Sequence, residues 1–289
     1  MTIGAIIILY NPDIKQTIHS IEILLPQVDK IYLIDNSYDS HQEYFPQNNK
    51  IAYIPLLKNT GIAAAQNIGI KHIIKNKCDF ALFSDQDSIA ESDTVEKLLD
   101  TYLFLKSEGI KVGGVGTRAI NKETGIPYPS KSKEYENVEI KTDIQGKATA
   151  TRCSYIRSSI SLIESKIFDE TGNFDEKLFI DGVDNEWCWR AASFGYLFYI
   201  AENAQIRHML GKESRKIGNK NISISSEFRI YYQFRNYIWL SRRSYVPSWW
   251  KFRHFLKYAV KTVYFPLFVK PRVVYARQII RGIKDGLTK

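Results

Sequence analysis

The residues best suited to chemistry in this 289-residue chain are carboxylates in two short clusters. Asp85-Gln86-Asp87 follows an apolar run over residues 78–83 and places two carboxylates two residues apart on a turn. Hard cations such as Mg2+ or Mn2+ take oxygen ligands and are commonly shared with a substrate diphosphate, so a D-x-D at a strand end suits a metal–phosphate anchor. The same residues also suit a solvated turn leading to a helix capped by Ser88. Asp181, Asp184 and Glu186 form the second cluster, set among Phe179, Trp187 and Trp189. An aromatic setting desolvates a carboxylate and raises its pKa toward that of a general base. Acids at a helix start are equally favoured by the helix dipole, with Asp181 or Asp184 as the cap and Arg190 in i,i+4 reach of Glu186. Residues 56–69 join a strand end, Gly61 and three alanines, which suits either phosphate at a helix N-terminus or tight helix–sheet packing. His208 shows no ligand spacing with the other histidines, and serves a site only if the fold brings it near Asp87.

These groups need elements to position them. Residues 5–9, 30–34, 51–57, 78–83 and 113–117 read as strands, and residues 14–25, 61–75 and 93–105 have helical spacing. This alternation predicts an α/β fold, a mostly parallel sheet with helices on both faces. Ligands of such sheets sit at the carboxyl ends of the strands. Asn11, Asp35-Asn36 and Asp85-Gln86-Asp87 all fall there, which locates one site on one edge. Residues 120–150 read as a polar surface loop, 157–163 as a strand, 186–194 as a helix stopped by Gly195, and 196–201 as a strand.

Composition narrows the class. With 44% hydrophobic and 25% charged residues, wholesale disorder is excluded. Three scattered cysteines without a CxxC pair argue against a disulfide framework or a structural zinc, and for a reducing cytosol. No signal peptide is expected at Met1, and no apolar run approaches the ~18–20 residues that span a bilayer. The net charge of +9 is unevenly spread: residues 207–289 hold 19 basic and 3 acidic side chains, a net of +16, and residues 1–206 have a net of −7.

Taken in order, several segments resemble family 2 of the inverting nucleotide-sugar glycosyltransferases, which have the GT-A fold, and within it the rhamnosyltransferase-like group. They are Leu9-Tyr10-Asn11-Pro12, Ile34-Asp35-Asn36-Ser37, the stretch from Asn59-Thr60-Gly61 to Gln66-Asn67-Ile68-Gly69, and Ser84-Asp85-Gln86-Asp87-Ser88. Gly172-Asn173-Phe174-Asp175-Glu176, Val183-Asp184-Asn185-Glu186-Trp187-Cys188-Trp189-Arg190, His208-Met209-Leu210-Gly211 and Tyr231-Tyr232-Gln233-Phe234-Arg235-Asn236 follow. The resemblance implies that Asp184 is the catalytic base, and that Asp87 holds a divalent metal (Mg2+ or Mn2+) with His208 completing its shell. It implies a nucleotide-sugar site from Tyr10, Asn11, Asp35, Asn59, Gly61, Asn67, Asp85 and Gln86, with Asp181, Glu186 and Arg190 as acceptor-side or supporting residues. Ile160 departs from the pattern: it stands where the family usually has glycine.

The resemblance further implies transfer of L-rhamnose from dTDP-L-rhamnose to a lipid-linked saccharide in bacterial O-antigen or capsule assembly. A galactofuranosyl or other hexosyl transferase using a UDP-sugar is the alternative, and a non-catalytic sugar-nucleotide or nucleic-acid binder is the rival of another class. The expected division is a GT-A domain over residues 1–240 and an extension over 241–289. The extension interleaves Trp249-Trp250, Phe252, Phe255, Tyr258, Tyr264-Phe265, Phe268 and Tyr275 with lysines and arginines. Aromatics favour the lipid interface and basic residues favour anionic headgroups. The expectation is therefore amphipathic helices on an anionic membrane surface, a peripheral protein on the cytoplasmic face of the plasma membrane, and no nucleic-acid partner. Packing of these aromatics against the catalytic domain, with charges merely solvating the outside, is the competing reading.

Overall fold

A computed structural model describes the backbone of residues 1–121, 134–140, 148–208, 214–217 and 220–288, and the side chains of residues 1–120, 149–206 and 224–288. In chain order the elements are β1 (Ile3–Leu9), α1 (Ile14–Leu24), β2 (Lys30–Asp35), β3 (Ile51–Pro55), α2 (Ile62–Lys75), β4 (Phe80–Asp85), α3 (Thr94–Ser107) and β5 (Val112–Asn121). Then come β6 (Glu134–Ile140), β7 (Ala148–Cys153), β8 (Ser161–Glu164), α4 (Ile167–Thr171), α5 (Val183–Ser193), β9 (Leu197–His208), β10 (Ser214–Ile217) and β11 (Lys220–Ser223). Three helices close the chain: α6 (Glu227–Ser241), α7 (Ser248–Phe268) and α8 (Arg272–Thr288).

Nine strands make one sheet in the order β3-β2-β1-β4-β8-β5-β9-β7-β6. β1 pairs in parallel with β2 and β4, and β5 with β9, while β8 and β7 run against their neighbours. β1 shows why its sequence is apolar throughout. Ile3, Ala5, Ile7 and Leu9 enter a core shared with α1 and α3, and Ile6 enters the opposite core, shared with α2 and α5. A strand covered on both faces needs apolar residues at every position. Helix α2 lies close on the sheet: a Cβ on Gly69 would sit 2.4 Å from the Ile6 side chain.

Four expectations from sequence need correction. The polar stretch 120–150 contains β6 and β7, and β6 forms the outer edge of the sheet. Edge strands tolerate charged residues that central strands do not, so a polar sequence is compatible with an edge. The strand read over 157–163 is only β8, preceded by an irregular turn. Helix α3 begins after Asp93, well beyond Ser88. Helix α5 begins at Val183 behind Gly182, so neither Asp181 nor Asp184 caps it, and Asp184 lies in its first turn.

The C-terminal helices have a core of their own, formed by Ile230, Phe234, Phe265, Val269, Tyr275 and Ile279. Gly282 and Gly286 let α8 settle onto α6: a Cβ on Gly282 would lie 2.6 Å from the Tyr231 carbonyl oxygen, and one on Gly286 would lie 2.9 Å from Ile238. Trp250 ties α7 to the main domain by an edge contact with Trp189 at 5.0 Å. The tail aromatics are thus divided. Trp250, Phe265 and Tyr275 pack inward, while Phe252, Phe255, Leu256, Val260, Val263 and Leu267 remain exposed on one stripe of α7. No helix among the described residues is long and apolar enough to cross a membrane.

Candidate active site

The strand register brings the acidic groups together. Leu9 of β1 stands beside Asp35 of β2, and Ile8 beside Asp85 of β4, so three strand ends finish in line. β8 runs antiparallel to β4 with Ser161 opposite Phe83. Its start, and the turn before it, therefore reach the same edge and deliver Arg157 and Ser158. The first turn of α5 delivers Asp184 to this place: Ser158 Oγ donates to Asp184 Oδ1 at 2.5 Å. A small cavity here is lined by Phe83, Arg157, Ser158, Phe174, Asp184 and Trp187.

The electrostatics are those of crowded carboxylates. Burial and the charges of Asp184 and Asp87 push Asp85 up to about 7, against the pull of Arg157. Burial also raises Asp184, and the two hydrogen bonds from Ser158 and the charge of Arg157 pull it back. A carboxylate whose ionised form is disfavoured by burial and restrained by a donor is suited to accept a proton.

The remaining sequence-derived residues separate into groups. Gln86 laces the ends of β1 and β4 together, accepting from Tyr10 N at 2.8 Å and donating to Tyr10 O at 3.4 Å. Tyr10 projects outward, and Asn11, at φ 44°, donates its backbone N–H to Ser37 Oγ at 2.9 Å. Asn59 accepts from Asn36 Nδ2 at 3.1 Å and from Gly61 N at 3.0 Å, which shapes the turn into α2. Gly61 has φ 83°, and a Cβ there would sit 2.6 Å from the Phe179 ring, so glycine alone fits.

Asp35 is buried, and its carboxylate accepts from Ser37 N, Tyr53 Oη and the His41 backbone, with His41 Nδ1 at 2.8 Å. Burial raises its pKa, but these hydrogen bonds outweigh burial and hold it below the usual value. Asn67 is likewise committed to protein groups: Phe174 N and O and Glu176 Oε1, at 2.9–3.0 Å. Glu186 is fully buried away from the strand ends, against Arg190, Arg243 and Tyr245. Asp181 pairs with Arg229 of α6. The side chain of His208 lies outside the described residues.

Sequence reasoning missed Arg157 and Ser158, and assigned Gln66, Arg235 and Asn236 no role. Gln66 Nε2 donates to Ser158 Oγ at 2.8 Å. Asn236 Nδ2 lies 2.7–2.9 Å from the carbonyls of Leu178, Ile180 and Asp181, and Arg235 donates to those of Lys177 and Leu178. Together they hold the loop that joins Gly61 to the start of α5, where Phe179 and Asp181 both have φ 64°. Phe179 O accepts from Ile62 N, so the loop also ties down the start of α2.

The parallel half-sheet, the acidic strand ends and a carboxylate at the start of α5 form the arrangement that the resemblance to GT-A glycosyltransferases implied. Solved structures agree on that fold. GalNAc-T7, crystallised with UDP, GalNAc and Mn2+, superposes with a TM-score of 0.56 at 16% identity, over 89% of this chain and 54% of that one. TarS of S. aureus gives 0.55 at 15% identity, over 99% of this chain and 49% of that one. The chain thus spans about half the length of each. Residues 5–171 match the family model "Glycosyl transferase family 2". The chain is also 30% identical over 286 residues to the dTDP-rhamnosyl transferase RfbF of Shigella flexneri, covering 99% of this chain and 95% of that protein. The chain belongs to glycosyl transferase family 2.

Proposed function

We propose that this transferase moves L-rhamnose from dTDP-L-rhamnose to a saccharide carried on a lipid, with inversion at the anomeric carbon. The donor reading rests on the nearly full-length similarity to a dTDP-rhamnosyl transferase. The chemistry rests on Asp184, a desolvated carboxylate whose charge acts on Asp85 and which is restrained by Ser158. Asp184 takes the proton of an acceptor hydroxyl as that oxygen attacks the anomeric carbon. The new C–O bond forms as the bond to the diphosphate oxygen breaks. The wall of Phe83, Phe174 and Trp187 limits water around the reacting centre.

The donor set fits a divalent cation. Burial first, and then the charges of Asp184 and Asp87, raise Asp85, and an added positive charge would favour its ionised form. A cation at such a site takes part of its ligands from a substrate diphosphate. Asp87, with His208, would hold it, and it would supply charge neutralisation to the departing nucleotide.

Residues 241–289 we read as a membrane-associating extension. Besides the exposed stripe of α7 from Phe252 to Leu267, Val273 and Ile280 of α8 are exposed, and the same segment of chain carries Arg253, Lys257, Lys270, Arg272, Arg277 and Arg281. An apolar stripe in a basic segment suits an anionic lipid surface on the cytoplasmic side, where lipid-linked acceptors are anchored.

The test is a donor panel assayed with lipid-extract acceptors, measuring which nucleoside diphosphate is released and which lipid gains mass. Release of dTDP with a rhamnose mass increment is expected, and lost with Asp184→Asn while donor affinity is kept. Turnover with UDP-sugars in place of dTDP-rhamnose would overturn the donor reading, and full activity of Asp184→Asn would overturn the base.

A further inference from the structure

Asp184 does not stand alone. Ser158 Oγ lies 2.5 Å from Asp184 Oδ1, and the Ser158 N–H reaches Oδ2 at 3.5 Å. Ser158 Oγ in turn lies 2.8 Å from Gln66 Nε2 on α2. Both partners are buried, Gln66 to 1% and Ser158 to 8% exposure. A serine hydroxyl has one proton. An amide N–H can only donate, so Ser158 Oγ accepts from Gln66 and must spend its own proton on Asp184. Gln66 Oε1 has no protein partner, so the Gln66 amide has its one side-chain hydrogen bond at Ser158.

The backbone supports the same geometry. Ile160 adopts φ +59° in the turn that presents Ser158, and Thr117 braces that turn: its N–H donates to Ile160 O at 3.3 Å, and its hydroxyl proton is shared between Ser159 O and Ile160 O, each 3.2 Å from Oγ1. Strained backbone of this kind persists where the surroundings over-determine it, and it clusters at functional sites.

We propose that Gln66 and Ser158 form a directed hydrogen-bond relay that aims the Asp184 carboxylate, with Gln66 acting only through Ser158. Both are positioning residues. Oδ1 takes the short bond from Ser158 Oγ, while Oδ2 has only the 3.5 Å contact with the Ser158 N–H, so Oδ2 is the less engaged oxygen and the one that receives the acceptor proton. The other groups that act on Asp184 are Asp85 of β4, Arg157 of the same turn and Cys188 of α5. None of them is part of the relay. The proposal rests on Asp184 as the base, so its test includes a readout independent of transfer.

In Ser158→Ala the carboxylate loses its donor. A hydrogen bond to a charged group contributes enough that the acid limb of the kcat profile moves up by about one to two pH units. Donor KM should stay within about twofold of wild type, since the lost bond touches no ligand. Ser158→Thr, which keeps the hydroxyl, should restore the limb. Gln66→Ala should move it in the same direction by less, and should add nothing in the Ser158→Ala background. The direct readout is the 13C carboxyl titration of Asp184, assigned by its disappearance in Asp184→Asn. It should shift upward in Ser158→Ala whether or not rhamnose is the sugar transferred. An unchanged Asp184 titration in a folded Ser158→Ala would overturn the relay, as would additive effects of the two substitutions. A shifted titration with no sugar transfer from any donor would leave the relay standing and overturn the functional reading.

Discussion

Replacing Ile160 offers a test of the site's backbone in which the sign is decided by conformation. Ile160 is fully buried in the core shared by α1, α3 and the sheet, and has φ +59°. Truncation to alanine removes packing worth about 2–5 kcal/mol and leaves the left-handed conformation in place. Truncation to glycine removes slightly more side chain. At an ordinary position glycine would be worse than alanine by roughly 0.5–1 kcal/mol because of its greater freedom when unfolded. Here a β-carbon in the left-handed region costs about 1–2 kcal/mol, and glycine escapes that cost. The order therefore reverses: both variants are destabilised, and Ile160→Gly is expected to be the more stable by roughly 0.5–1 kcal/mol. Urea unfolding followed by tryptophan fluorescence, with equal m-values required across the three proteins, measures the difference. Finding Ile160→Ala more stable than Ile160→Gly would refute the assignment of strain to this turn.

Other expectations concern the proposed cation, the exposed apolar stripe of α7 and a buried lysine. Asp87→Ala should remove the metal-dependent part of dTDP binding, a loss of about 1.5–3 kcal/mol for a charge-assisted contact; calorimetry with and without Mg2+ measures it, and an unchanged metal response would exclude Asp87 as a ligand. Phe255→Glu with Val263→Glu should lower flotation on anionic vesicles by about 100-fold, from ~1.5 kcal/mol lost per apolar side chain, while leaving activity on a water-soluble acceptor intact. Equal flotation of this variant would show that the α7 stripe is not the contact. Lys261 lies buried between α7 and α6, donating to Gln233 Oε1 at 2.7 Å, and burial with the neighbouring Lys257 charge brings it down to about 7. Between pH 7 and the usual lysine value the unfolded chain binds the extra proton, so wild-type stability rises with pH across that window. Lys261→Met should melt higher than wild type at pH 7 and lose that advantage toward pH 10; a constant difference across the range would contradict the shift.

Much of the site could be read from residue order, for a physical reason. β1, β2 and β4 run parallel and end in register, so a polar residue that closes each apolar run arrives at one edge, as Asp35 and Asp85 do. Arg157 and Ser158 were illegible because β8 is antiparallel: they precede their strand, and only the pairing of Ser161 with Phe83 shows that a strand's beginning faces the site. β6 hid behind its polarity, because an edge strand carries charges where a central one carries isoleucine, and a register shift between Glu134 and Asn137 interrupts its alternation. The start of α5 was misplaced by three residues because Gly182, at φ 93°, begins the helix without a side-chain cap. The roles of Arg235 and Asn236 depend on carbonyl oxygens some 55 residues away, a partnership no local pattern encodes.

The glycines of α8 set a limit on how this protein can be taken apart. Gly282 and Gly286 bring α8 against α6, and α6 carries Asn236, which grips the carbonyls just ahead of Asp184. The last helix is thus mechanically in series with Asp184, the proposed base. A shortened chain ending after α6 would shed the exposed apolar stripe of α7 and also uncover the helix that steadies the loop ahead of Asp184. The C-terminal helices and the start of α5 act as one part, and a tail borrowed from another transferase would have to reproduce this close glycine seam.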